Sequence, residues 1–282
     1  MRSGNTSVVC GVRAEILKEE DIPGTAEYPT TTTSDGDEPM GDEEISEEED
    51  DKEEIETLRL LVPNLELSTG STPQNLPGNA PSSVAQTLIT RLHSLLLSTC
   101  LLRAADLRIT HTPSINAEDP DTPADKVLKG YWVLYIDIFF ISLDGNSFDA
   151  AWLAIISALR NTRLPNAYFD EELEMILCDD NPSAARSLKL RGLPVPCTFA
   201  VFEGKKEDTQ EEGQGKWEWV LSDPDAFEEA VCRESVTVVV DQGTVKNIEK
   251  SGGGVVGREV MKGLVKRSRE RWSVWDEVLR KA

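Results

Sequence analysis

Residues 131–165 read YWVLYIDIFFISLDGNSFDAAWLAIISALRNTRLP. The first part, Tyr131 to Leu143, is an aromatic and β-branched run with the length and composition of a central strand. Both alternating sets are apolar, with Leu134, Ile136, Ile138 and Phe140 on one side and Val133, Tyr135, Phe139 and Ile141 on the other. That pattern predicts a strand covered on both faces. Asp144, Gly145 and Asn146 then have the chemistry of a turn. From Ser147 the period changes: Ala151, Ile155, Ala158 and Leu159 recur at helical spacing, and Trp152 with Ile156 widens the stripe to nearly the whole circumference. Such a helix is buried. Ser147 is placed to cap it, Asp149 lies in its first turn, and Arg160 and Arg163 lie near its end, all with signs that suit the helix dipole. Pro165 stops it. A buried strand feeding a buried helix specifies a compact α/β or α+β core.

Upstream, Thr6 to Ile16 (TSVVCGVRAEI) reads as a strand after almost no lead. The chain has 282 residues, 29 basic and 51 acidic, for a net charge of −22. The excess is local: Glu19 to Glu54 holds 17 acidic residues against Lys52 alone, so the remainder carries only about −6. Charge therefore does not argue against RNA binding elsewhere. Low hydrophobicity and a block of like charge predict that 18–56 is a disordered acidic insertion. Strand character resumes over Thr57 to Leu67, and Ser82 or Ser83 opens a helix with Val84, Leu88, Leu92, Leu95 and Leu96 on its apolar stripe. His93 on that helix and His111 in the loop after Ile109 have no implied acidic or nucleophilic partner, so neither reads as catalytic.

Downstream, strands are expected at Val195–Phe202, Lys216–Leu221 and Ser235–Asp241, a short helix at Asp225–Cys232, and a long helix from Val256 to about Lys281. The order of elements suggests two similar halves with one helical layer, not alternating βαβ units. The five cysteines (Cys10, Cys100, Cys178, Cys197 and Cys232) form no CxxC pair, the pattern of reduced thiols in an intracellular protein. No apolar run approaches the roughly twenty residues of a membrane span, and no signal peptide is read.

Chemistry-bearing candidates are sparse. The glycines 252–254 before the last helix can either form a plain turn or cradle a phosphate, but they lack the lysine of a nucleotide loop. Asp137, Asp144, Asp149, Asp223, Glu228, Glu229 and Glu234 bind a metal only if the fold gathers them. Arg160 and Arg163, with Arg186 and Lys189 in the polar stretch that follows, are candidates for RNA contact. For Arg160 and Arg163, helix-end capping and carboxylate pairing are equally good readings.

Several segments together carry a family likeness: TSVVCGVRAEI at 6–16, VPNLELS at 62–68 with AQTLITRLHSLLLS at 85–98, the stretch 130–165, LPVPCTFAVF at 193–202, LSDP at 221–224 and TVVVDQ at 237–242. They resemble the ribonuclease PH-like subunits of the eukaryotic RNA exosome ring. The resemblance implies an α+β ribonuclease PH fold with halves 1–165 and 166–282, interrupted by the acidic insertion. It implies six such subunits paired into a ring around an RNA channel, with cap subunits on one side and a processive nuclease on the other. The implied partners are other ring subunits, in particular the one called ribosomal RNA processing protein 46, together with the cap and RNA. No membrane is implied, and the implied location is nucleus, nucleolus and cytoplasm.

Phosphorolytic relatives carry an acidic pair after a strand and an aspartate a few residues later. Asp223, Glu228 and Glu229 fall on the early part of that pattern, while the later aspartate position is Ser235, with Glu234 beside it. A serine cannot replace a carboxylate in positioning a metal or proton at a transferring phosphate. The expectation is a subunit with no catalytic residue, metal or cofactor; the alternative is a phosphate-dependent 3′-to-5′ exoribonuclease of the same fold. Relatives also carry a helix, a basic segment and a strand before the turn at which Met1–Thr6 begins. A truncated start is therefore expected, with an open sheet edge beside Val8–Ile16.

Overall fold

The computed structural model describes residues 1–22, 41–72, 76, 82–113, 126–204 and 217–281. A two-residue strand, β1 (Arg2–Ser3), turns at Gly4 into β2 (Thr6–Lys18). Helix α1 (Gly41–Thr57) leads into β3 (Leu61–Leu67), followed by α2 (Ser83–Ser98), the single turn α3 (Ala104–Leu107) and β4 (Arg108–His111). The long strand β5 (Val127–Ser142) then feeds α4 (Ser147–Asn161). Short strands β6 (Arg163–Leu164), β7 (Ala167–Asp170), β8 (Met175–Cys178) and β9 (Arg186–Ser187) make the connection. Beyond it come β10 (Val195–Gly204), β11 (Trp217–Ser222), α5 (Ala226–Val231), β12 (Glu234–Asp241), β13 (Thr244–Ser251) and α6 (Arg258–Lys281).

The first sheet runs β1-β2-β5-β3, with β4 beside the start of β5. β2 is antiparallel to β5 from Val8 opposite Phe140 to Lys18 opposite Gly130, and β3 is parallel to β5 from Leu61 opposite Leu134. A parallel pair needs a crossover, and α2 lies in it, held at its start by Ser82 Oγ accepting from Ala85 N at 3.2 Å. Beyond Thr6 and Ser7, β2 pairs only with β5 among the described residues. The second sheet, β11-β10-β12-β13, is antiparallel throughout.

Helix α4 is buried nearly all round, as its wide apolar stripe predicts, because it packs against β2 and β5 on one side and β10 on the other. The expectation of two covered faces on β5 is corrected. Leu134, Ile136, Ile138 and Phe140 are buried, but Asp137 is exposed, Phe139 is 39% exposed and Ile141 52%. On that odd-numbered face Tyr131 and Val133 are buried and Tyr135 is half-buried, while the end at Asp137, Phe139 and Ile141 is exposed. The strands covered on both sides are β10 and β12 of the second sheet. There Cys197, Phe199, Val201, Val236, Val238 and Val240 pack with Leu264 of α6, while Val239 on the opposite face joins the first core.

The acidic tract also departs from expectation. Residues 23–40 lie outside the described residues, but 41–57 form α1. Ile55 is buried, and the buried carboxylate of Glu54 accepts two hydrogen bonds from the Arg108 guanidinium and one from the Tyr131 hydroxyl. An apolar contact and a paired charge supply what the surrounding like charges remove. The strand expected from Thr57 starts only at Leu61: Arg59 takes φ +51° and Leu60 N donates back to Ile55 O at 3.0 Å, a helix-ending turn. His111 is in β4 instead of a loop, with Nε2 2.8 Å from Glu171 Oε1. None of the five cysteines is in a disulfide. No helix among the described residues is long and apolar enough to cross a membrane.

Candidate functional site

The turn between β5 and α4 is gripped from both halves. Thr6 Oγ1 donates to Gly145 O at 2.9 Å and accepts from Asp144 N at 2.9 Å, and Asn5 Nδ2 donates to Asp144 Oδ2 at 2.8 Å. Gly145 has φ +81°, and a Cβ there would lie 2.4 Å from the carbonyl carbon of Asp225. Only glycine lets the β11–α5 turn approach so closely. Asn146, at φ +43°, is the N-cap residue of α4, with Ser147 the first helical residue and not the cap. Its side chain makes no cap bond; Nδ2 donates instead to Asp149 Oδ2 at 3.1 Å and to Asp223 Oδ1. Its backbone N–H donates to Glu229 Oε1 at 2.9 Å.

Beneath this turn lies a cavity of about 230 Å³ whose lining includes Arg91, Asn146, Phe148, Thr198, Glu229, Cys232, Ser235 and Thr237. Arg91 reaches across from α2: Nε is 2.9 Å from the Glu249 carboxylate, Nη2 donates to Thr237 Oγ1 at 3.3 Å, and the guanidinium lies 4.1 Å from the Phe148 ring centre. Asp149, only 1% exposed, accepts from Thr198 N at 3.0 Å and Thr198 Oγ1 at 2.8 Å, and pairs with Arg271 of α6 at 3.1 Å. One carboxylate of α4 thus holds both β10 and α6. Asn146 Oδ1 is buried with no hydrogen-bond partner among the described residues.

Glu229 and Ser235 line the cavity, and Asp223 adjoins it through Asn146. Asp223 Oδ2 also accepts from Ser3 Oγ at 3.1 Å, so this carboxylate is held by two donors of its own chain. Burial of the Glu229 carboxyl against the turn pushes its pKa up, opposed by the Asn146 N–H, although the residue as a whole remains exposed. Glu228 is occupied elsewhere: it accepts from Asp225 N at 2.9 Å while Asp225 accepts from Glu228 N at 2.8 Å, a capping box that starts α5.

Glu234, beside Ser235, faces away from the cavity. Its carboxylate accepts from Lys250 Nζ at 2.6 Å and from Gly254 N, and the Lys250 bond is the main cause of its lowered pKa. A Cβ on Gly252 would lie 2.2 Å from Arg233 O, and one on Gly254 2.7 Å from Glu234 Oε1. The triple glycine therefore wraps a carboxylate of its own chain, which favours the structural reading over a phosphate cradle.

The basic candidates lie apart from the cavity lining. Arg160 is exposed at the end of α4 and lines a groove with Leu188, Trp272 and Arg280. Arg163 is opposite Ser187 and Arg186 opposite Leu164, so the two arginines sit on paired strands. Arg186 Nη2 donates to Asp106 O at 3.1 Å, and Lys189 Nζ lies 3.9 Å from Asp106 Oδ1. Among the described residues no group of three or more His, Cys, Asp or Glu side chains is placed to hold a metal ion. Asp137, for instance, accepts instead from Asn64 Nδ2 at 3.0 Å. Arg91, Thr198, Thr237 and Arg271 are site residues that no sequence motif marks. Asn146 reads in the sequence only as a turn residue.

Comparison with known proteins places this geometry in a family. The chain is 29% identical over 213 residues to the exosome complex component rrp43 of Schizosaccharomyces pombe, covering 75% of this chain and 67% of that protein. It is 28% identical over 156 residues to the exosome complex component Rrp42 of Thermococcus gammatolerans, covering 55% of this chain and 50% of that one. The chain thus spans between half and two thirds of these relatives. Among solved structures, one described as the Archaeoglobus fulgidus exosome with RNA bound to the active site superposes with a TM-score of 0.57 at 22% identity, covering 99% of this chain and 80% of that chain. That likeness shows the ribonuclease PH fold. The ribonuclease PH model (3′ exoribonuclease family, domain 1) matches residues 1–165, more than half of the chain. With two sheet-and-helix halves joined at the Asn146 turn, the chain belongs to the 3′ exoribonuclease family of the ribonuclease PH fold.

Proposed function

We propose that the protein is a non-catalytic ring subunit of an RNA exosome core, supporting 3′-to-5′ processing and degradation of RNA by position and contact. The observation that carries this reading is how the active-site positions are used. Glu228 caps a helix, Asp223 is held by Asn146 and Ser3, Glu234 is enclosed by the glycine loop, and Ser235 presents a hydroxyl where a carboxylate is needed. Phosphoryl transfer requires charge directed at the phosphate and its metal, and here that charge is directed at the protein's own donors. The likeness to proteins named as exosome components supports the assembly.

On this reading 1–165 and 166–282 are the two halves of one ring subunit. It pairs with a ribonuclease PH-like neighbour of the ribosomal RNA processing protein 46 type, meets the cap subunits, and works in nucleus, nucleolus and cytoplasm. Arg160, Arg163, Arg186 and Lys189 are its RNA contacts, with Arg163 and Arg186 on the paired strands β6 and β9. The test is incubation of the purified protein with 3′-labelled RNA, Mg²⁺ and phosphate, alongside native purification with mass spectrometry of what accompanies it. Nucleoside diphosphate release would establish the rival phosphorolytic reading. Ring neighbours without release are the expected result.

A further inference from the structure

The first half of α6 carries Arg258, Lys262, Lys266 and Arg269, spaced so that they fall along one side of the helix. At about 1.5 Å per residue this ridge is roughly 16 Å long. It borders an open groove of about 620 Å³ whose apolar lining is Val256, Met261 and Val265. Lys262 lies 2.7 Å from Glu259; Arg258, Lys266 and Arg269 have no carboxylate partner among the described residues. The floor is firm, because Val256, Met261 and Val265 pack on the second core. Its entrance follows the glycine loop that Glu234 and Lys250 hold in place.

We propose that this groove docks an acidic amphipathic segment of a partner polypeptide, with aliphatic side chains on Val256, Met261 and Val265 and carboxylates on the four cations. Charge complementarity selects the sign of the partner: the ridge concentrates unpaired positive charge in a chain whose net charge is −22. The floor selects its class. A nucleic acid would use the cations for its phosphates but would leave the apolar floor unfilled, since no lining side chain is aromatic for its bases to stack on. A thioether and two β-branched side chains fit the aliphatic residues of a peptide, Met261 supplying the adaptability.

The test is a fluorescence anisotropy titration of the full-length protein with a labelled peptide that places leucines at helical spacing among glutamates. A scrambled peptide of the same composition and a single-stranded oligoadenylate serve as the other two probes. Of the two peptides only the first is expected to bind saturably, weakened about tenfold or more by Lys266→Glu with Arg269→Glu, whereas oligoadenylate held at the proposed RNA contacts should bind the variant and the wild type alike. Met261→Asp should weaken it as strongly. The charge-reversal variant alters only surface side chains, so its unchanged melting curve separates lost docking from lost folding. Equal binding of both peptides, or binding that neither variant changes, overturns the proposal. Oligoadenylate that binds, weakens with charge reversal and ignores Met261→Asp overturns it in favour of nucleic acid.

Discussion

Removing the Glu54 carboxylate should release α1 from the first sheet. The helix has few resources of its own, because its sequence GDEEISEEEDDKEEIET sets like charges close together and isolated helices of this length are marginal. Its main anchors are Ile55 and the bonds that Glu54 accepts from Arg108 and Tyr131. Hydrogen bonds to a charged group each contribute about 1.5–3 kcal/mol, and removing one partner of a buried pair costs about 3–5 kcal/mol. The Arg108 side chain is 36% exposed and can turn to water, whereas Tyr131 is buried and its hydroxyl is left without an acceptor. Glu54→Ala should therefore cost about 3 kcal/mol, at the lower end of the range for a broken buried pair. Glu54→Gln, which keeps an acceptor, should cost less. The assays are urea unfolding of both variants and amide exchange across 41–57. Protection in α1 should fall before that in β5. The reasoning fails if Glu54→Ala costs under about 0.5 kcal/mol, or if its effect and that of Arg108→Ala simply add in a double-mutant cycle.

Asp149→Ala leaves Arg271 and Thr198 without their buried acceptor and should cost about 3–5 kcal/mol in urea unfolding, with Asp149→Asn milder. Gly145→Ala combines φ +81° with a Cβ 2.4 Å from the Asp225 carbonyl carbon, so it should cost at least about 1 kcal/mol and disturb near-ultraviolet signals from both halves. The lowered pKa of Glu234 means that its stabilisation is fully present above the ordinary glutamate range and is lost as pH falls through the lowered value. Exchange at Gly254 should accordingly accelerate on the acid side in the wild type but not further in Glu234→Gln. Arg163→Ala with Arg186→Ala should weaken RNA binding at every sequence and reduce its salt dependence, by about 0.7 in the log–log slope for each phosphate no longer neutralised; an unchanged slope removes this pair from the RNA path.

The core of this fold is readable in the sequence because its signals are local. The helical period of 147–161 shows α4 as buried, and α4 is enclosed by both sheets. Alternation along β5 identifies its two residue sets correctly but not what covers each, since a face is covered by elements distant in sequence. Composition misjudges 41–57 for the same reason: an acidic run cannot reveal that one of its carboxylates meets Arg108, 54 positions away. His111 looks partnerless because Glu171 lies 60 residues on, and Arg91 gives no sign of its reach to Glu249, 158 residues away. The family likeness locates Asp223, Glu229 and Ser235 near one another. It does not reveal that Asn146, Asp149 and Arg271 are the residues that fix their setting.

That setting bears on what the site can do. Catalytic carboxylates act through the lone pairs that the protein leaves free for metal, proton or substrate. Here Asn146 donates to Asp223, to Asp149 and, through its backbone, to Glu229, so a single residue supplies donors to three carboxylates. Asp149 takes further bonds from Thr198 and an ion pair from Arg271, so its charge is balanced within the fold. Apart from the local Asn146–Asp149 bond at the start of α4, these bonds join parts of the chain that would otherwise separate: α4 to β10, α4 to α6, and the Gly145 turn to the β11–α5 segment. Asp149, with donors from Asn146, Thr198 and Arg271 on its two oxygens, cannot take up a metal without first breaking a joint between the halves, whereas Asp223 takes two donors and Glu229 one. Structural use and catalytic use compete for the same oxygens, and at Asp149 the structural use has them.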